Sequence, residues 1–166
     1  MIGWKSDKRW SDKFMPEIKR HLGEVLIGEP PIAEDRERNT DLIVLKMEAV
    51  RIGCRIRRSK FIKYNDEFTI RAGRPSGSKT ELTKIIEGWG DYFFYGISNE
   101  SETALHSWII GDLNAFRIWH SRSIVKNCGF QPGEKFGNRD SSSYFMVYKL
   151  REVDGFVVAS GGPSND

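Results

Sequence analysis

At 166 residues, with 39% aliphatic and aromatic residues and a formal net charge of +3, the chain has the size and core content of one ordinary domain. No apolar run approaches the roughly 20 residues that cross a bilayer, and two cysteines and three scattered histidines exclude a disulfide framework and a paired-ligand zinc site. The N-terminus reads as free of a signal peptide, and a reducing, cytoplasmic setting without a membrane fits best. Charge is segregated: Lys46 to Lys84 holds eleven Lys or Arg against four Asp or Glu, so a strongly basic face is expected there.

Taken in order, residues 1–12 read as a polar arm that packs back through Trp4 and Trp10. Phe14, Ile18, Leu22 and Val25 or Leu26 recur at helical spacing and predict a helix from Asp12 to Val25, capped by Ser11 or Asp12, with Pro16 in its first turn and His21 on its surface. A polar connector spans Gly28 to Asn39, and Asp41 to Leu45 predicts a short buried strand. From Val50 to Arg58 the alternation is strict. Val50, Ile52, Cys54 and Ile56 share one face, with Cys54 buried; Arg51, Arg55 and Arg57 share the other. Glu67 to Arg71 repeats the pattern, with Phe68 and Ile70 inward and Glu67, Thr69 and Arg71 outward, so these three segments are expected to form an antiparallel meander.

Arg74 to Gly77 is a turn by composition, and Ser78-Lys79-Thr80-Glu81 has capping-box form, with Ser78 as N-cap and Glu81 reaching back to it. Leu82, Ile85, Ile86 and Trp89 then give the stripe of a core-facing helix that Gly88 and Gly90 end. Asp91 to Ile97 reads as a central strand whose aromatic run belongs to the core, and Ala104 to Ile110 as its hairpin partner, although one long helix also fits the latter stretch. A helix from Asp112 would turn Leu113, Phe116 and Trp119 or His120 inward. Residues 127–143 read as a loop, Tyr144–Leu150 and Phe156–Ala159 as closing strands, and 161–166 as a frayed tail. The sum is a single α+β domain over residues 1–160, with a mixed sheet of about five to seven strands and two or three flanking helices.

The residues with most chemistry are the arginines. Arg51, Arg55 and Arg57, with Arg58, Lys60 and Lys63 just beyond, form a row whose guanidinium forks suit phosphate oxygens; the alternative is a solvated face paired to acids. Arg71, Arg74 and Lys79 flank the start of the 80s helix, where backbone N–H groups either add to an anion site or belong to a merely well-capped turn. Asp41 stands at a strand mouth, where a carboxylate either holds a divalent metal or caps a turn.

The order helix (12–25), Asp-initiated strand (Thr40 to Leu45), strand (Ile52 to Arg57), helix (Thr80 to Glu87) and strand (Asp91 to Ile97) resembles the core of the PD-(D/E)XK, restriction-endonuclease-like, nuclease superfamily. The resemblance implies a metal-dependent phosphodiesterase acting on nucleic acid, with Mg2+ held by a strand-opening Asp and by the acid of an acid-x-Lys pair on the next strand. Asp41 matches the first position, but Arg55-Ile56-Arg57 stands where the acid-x-Lys pair belongs. The second metal-binding carboxylate would then come from Glu67 or Glu81, with Lys79 assisting the attacking water and Glu24 contributing from the first helix. Set against this are a non-catalytic nucleic-acid binder and a protein-interaction domain, both using the same basic face.

Overall fold

The computed structural model describes residues 4–28, 43–44, 50–138 and 143–162. The class is α+β, with a mixed sheet and flanking helices as expected. Two helices open the described chain, α1 (Trp4–Asp12) and α2 (Met15–Leu26), so the expected 12–25 helix forms as α2 and the expected arm is a helix as well. Trp10 accounts for the difference. Its ring packs edge-on against Phe14 at 5.2 Å, and its Nε1–H donates to Glu102 at 2.6 Å, which ties α1 to the sheet.

Strands β1 (Ile27–Gly28) and β2 (Ile43–Val44) pair antiparallel, and β2 is the described part of the expected 41–45 strand. Then follow β3 (Ile52–Arg57), a 3-10 helix (Ser59–Tyr64), β4 (Glu67–Gly73), α3 (Glu81–Ile86), β5 (Tyr92–Ser98) and β6 (Leu105–Asp112). The chain continues through α4 (Leu113–Lys126), β7 (Glu134–Gly137), β8 (Tyr144–Lys149) and β9 (Val157–Gly161), so β7 lies within the stretch expected to be loop. The main sheet runs β3-β5-β6-β9 and a second runs β4-β8-β7.

The expected antiparallel meander is overturned. β3 pairs parallel with β5, Ile52 opposite Tyr92 and Arg57 opposite Ile97, whereas β4 pairs with β8 in the other sheet. Alternation assigns a strand's faces and leaves its partner open; a parallel neighbour requires a long crossover, here residues 58–91. The β5–β6 hairpin forms as expected, with Phe94 opposite Ile110.

Two apolar clusters lie against the main sheet. Phe94, Ile110 and their neighbours Ile52 and Ile56 receive Phe14 and Ile18 from the α1–α2 side. The alternate residues Phe93, Tyr95, Ile97 and Ile109 join Phe68 and Ile70 of β4, Met146 and Tyr148 of β8, and Leu113 and Phe116 of α4. Asp112 caps α4 by accepting from the N–H groups of Asn114 and Ala115. Gly111 permits a close approach in this core, since a Cβ there would stand 2.1 Å from the Phe156 ring.

Three placements depart from expectation. Thr80, not Ser78, caps α3, its hydroxyl accepting from the Thr83 N–H, and only Leu82 and Ile85 of the expected stripe are buried; Ile86 and Trp89 are exposed. His21 is buried against the Trp108 ring at 4.3 Å, beside Glu17 and Glu24, because α2 presses this face onto β6. Cys54 is exposed, because the helices cover Ile52 and Ile56 and leave the position between them open.

His120 of α4 is 2% exposed, packs on the Phe116 ring, and has no hydrogen-bond partner at Nε2. Burial pushes its pKa below the ordinary histidine value. An unfolded chain therefore takes up this proton first as pH falls, so His120 contributes stability above about pH 6.5 that is lost as pH drops through its folded-state pKa. Urea midpoints are expected to fall between about pH 7.5 and about pH 5, and to fall less in His120→Phe. Equal slopes in both proteins would assign the effect to other groups.

Candidate functional site

The basic segment becomes a site because three strands turn one face each towards the same place. On β3 that face carries Arg55 and Arg57; on β4 it carries Glu67, Thr69 and Arg71. Register sets Phe145 of β8 directly opposite Arg71, with Val147 opposite Thr69 and Lys149 opposite Glu67. The guanidinium carbons of Arg55, Arg71 and Arg57 lie 5.2, 5.4 and 5.9 Å from the centre of the Phe145 ring. Arg57 also stacks on Phe61 at 3.9 Å. An aromatic face attracts cations, so the ring gathers three like charges that would otherwise spread apart.

Among the described residues, one carboxylate stands at hydrogen-bond distance from this cluster. Glu81, the first residue of α3, accepts from Arg55 Nη2 and, at 3.0 Å, from the Arg71 backbone N–H. The expected capping-box role is thus replaced. The short helix points its first side chain at the arginines, while Thr80 satisfies the helix N-terminus that the sequence offered to an anion. Arg57 Nη1 donates to Thr69 Oγ1 at 3.3 Å. Glu67, the acid that acts on Arg57 through space, accepts from Lys149 Nζ at 2.7 Å.

The cluster is water-poor and short of acceptors. Only 16% of the Arg55 side chain is exposed, and the Nε–H groups of both Arg55 and Arg71 are buried with no hydrogen-bond partner among the described residues. Burial first, and then Arg55 with Arg74, holds the Arg71 pKa below its ordinary value, while Glu81 and Asp7 oppose the shift. Burial likewise lowers Arg57, with Tyr95 opposing and Arg55 reinforcing it. Buried donors without acceptors and like charges close together both favour taking up an oxyanion.

The other expected site residues fall elsewhere. Asp41 lies outside the described residues. Lys79 is bound to Glu87 at 2.7 and 2.8 Å, and Glu24 to Arg20 at 2.7 Å on α2, which packs on the opposite face of the main sheet. Arg58 pairs with Glu102 and stacks on Trp10 at 4.3 Å, so it anchors α1 and stands apart from the cluster. Arg51 and Arg74 are exposed, and Lys60 and Lys63 lie over the rings of Phe61 and Tyr64. Among the described residues, no three His, Cys, Asp or Glu side chains come together as metal ligands. Sequence reasoning missed Phe145 and Phe61. The available signal was alternation in Tyr144–Leu150, which sets Phe145 opposite in sense to the buried Met146 and Tyr148.

Comparison with protein families, with curated proteins and with solved structures finds no match to this chain. Among the described residues no helix is long and apolar enough to cross a membrane. The functional reading therefore stands on the geometry of the arginine cluster.

Proposed function

We propose that this chain binds nucleic acid through its phosphates, with Arg55, Arg57 and Arg71 as the seat, Arg51 and Arg74 at the rim, and no catalytic metal. One observation carries the reading: three guanidinium groups converge on Phe145 with, among the described residues, a single carboxylate, Glu81, at hydrogen-bond distance. Guanidinium is the side chain best matched to phosphate oxygens, and its desolvation here strengthens each charge-assisted hydrogen bond. Of the carboxylates that a hydrolytic reading would recruit, the two among the described residues are already engaged, Glu67 by Lys149 and Glu81 by Arg55.

Binding of single-stranded DNA, duplex DNA and RNA, followed by fluorescence anisotropy between about 50 and 200 mM salt, tests this. The logarithm of affinity is expected to fall linearly with that of salt, by about 0.7 per phosphate contacted on single strands and about 0.9 on duplex. Arg74→Ala removes an exposed arginine and is expected to make the slope shallower by about one such contact. Equal affinity with EDTA or magnesium is expected. A salt-independent interaction, or magnesium-dependent cleavage, would overturn the reading.

A further inference from the structure

We propose that the preferred ligand of the arginine cluster is a terminal phosphate monoester, the phosphorylated end of a nucleic-acid strand; this rests on the nucleic-acid reading above. Three features of the cluster distinguish an end from the middle of a strand.

The first is depth. Arg55 is largely buried, and Arg57 and Arg71 lie only partly open between β3, β4 and β8. An internal phosphodiester carries a nucleotide on each side and must pass across these part-buried groups, whereas a terminal phosphate approaches them end-on.

The second is charge. Three arginines meet Glu81 around the Phe145 ring, which leaves an excess of positive charge in a site poor in water. A phosphate monoester carries about 1.5 to 2 negative charges near neutral pH and three strong acceptor oxygens. A diester carries one charge and two such oxygens, so the monoester neutralises this cluster more fully.

The third is the pair of open donors. Arg55 and Arg71 stand on different strands, each with a buried Nε–H that has no acceptor. An anion with three oxygens can accept from both while keeping one oxygen for Arg57. Phe145 supplies an apolar floor that spaces the guanidinium groups, and exposed Arg74, the residue after the end of β4, is a further cation for the strand beyond its terminal phosphate.

The test uses the wild-type chain and one oligonucleotide sequence in three forms: 5′-phosphorylated, 3′-phosphorylated and without a terminal phosphate. One phosphorylated form is expected to bind about tenfold more tightly than the unphosphorylated one, as two charge-assisted hydrogen bonds would require at least. Inorganic phosphate is then titrated while the arginine Nε–H resonances are followed by nitrogen-15 NMR. Those of Arg55 and Arg71 are expected to shift, and the same oligonucleotide is expected to be displaced. Equal affinity for all three forms overturns the inference and leaves the nucleic-acid reading intact, as does a preference unaccompanied by shifts at Arg55 and Arg71. Binding of none of the three overturns the nucleic-acid reading itself.

Discussion

Phe68→Ala is expected to cost about 3–5 kcal/mol, a large part of the roughly 5–15 kcal/mol by which a domain of this size is stable. Phe68 is fully buried at the centre of the larger core cluster. Its ring stacks on Phe156 at 4.4 Å and lies 5.3 Å from Tyr148 and 6.0 Å from Phe116, with Phe93 and Tyr95 each at 6.5 Å. It therefore joins β4, β5, β8 and α4 at one point. Neighbouring rings are rigid and tied to different strands, so they fill the vacated volume poorly, and the cavity cost adds to the lost burial. Urea denaturation checks this against Ile70→Val, for which about 0.5–1.5 kcal/mol is expected at an equally buried site on the same face. A loss below about 1 kcal/mol for Phe68→Ala would mean that the aromatic cluster does not hold the sheets together.

Glu81→Ala is expected to destabilise the fold by about 2–3 kcal/mol, somewhat less than the loss of one partner from a fully buried ion pair. The side chains of Arg55 and Glu81 are 16% and 29% exposed, so residual water compensates part of the change. Removing the carboxylate leaves Arg55 facing Arg57 and Arg71 without its hydrogen-bonded counter-charge, and it takes away the acceptor of the Arg71 backbone N–H. Glu81→Gln retains an oxygen for that N–H and is expected to lose less, while raising affinity for oligonucleotides because one negative charge has left the cluster. Denaturation and anisotropy on the two variants separate the effects. Equal stability of Glu81→Ala and wild type would remove Glu81 from the site.

Several elements were legible before the fold was seen. The helix α4, turning Leu113, Phe116 and His120 inward, follows from local pattern, because a capping Asp112 and a helical stripe adjoin in sequence; for the preceding stretch the pattern fits a strand or a helix, and pairing with β5 makes it β6. The helix after Thr80 was equally legible. Its first residue was misassigned, because a Glu at that position serves a local cap or a distant arginine with the same sequence signature. Arg55 and Arg57 were recognised as one face of a strand, but as a face presented to its surroundings. That β4 and β8 cover it depends on residues up to 90 positions away, as Phe145 is from Arg55.

The amino-acid sequence by itself determined the α+β class, most element positions, the faces of β3 and β4, and the concentration of positive charge between Lys46 and Lys84. These follow from periodicity, capping and charge, which act between near neighbours in the chain. Only the tertiary structure decided that β3 lies parallel to β5 and that β4 belongs to β8. It alone gathered Arg55, Arg57 and Arg71 on Phe145 against Glu81. Strand partners are selected by which apolar faces can be buried together, a global condition that alternation within one strand does not specify.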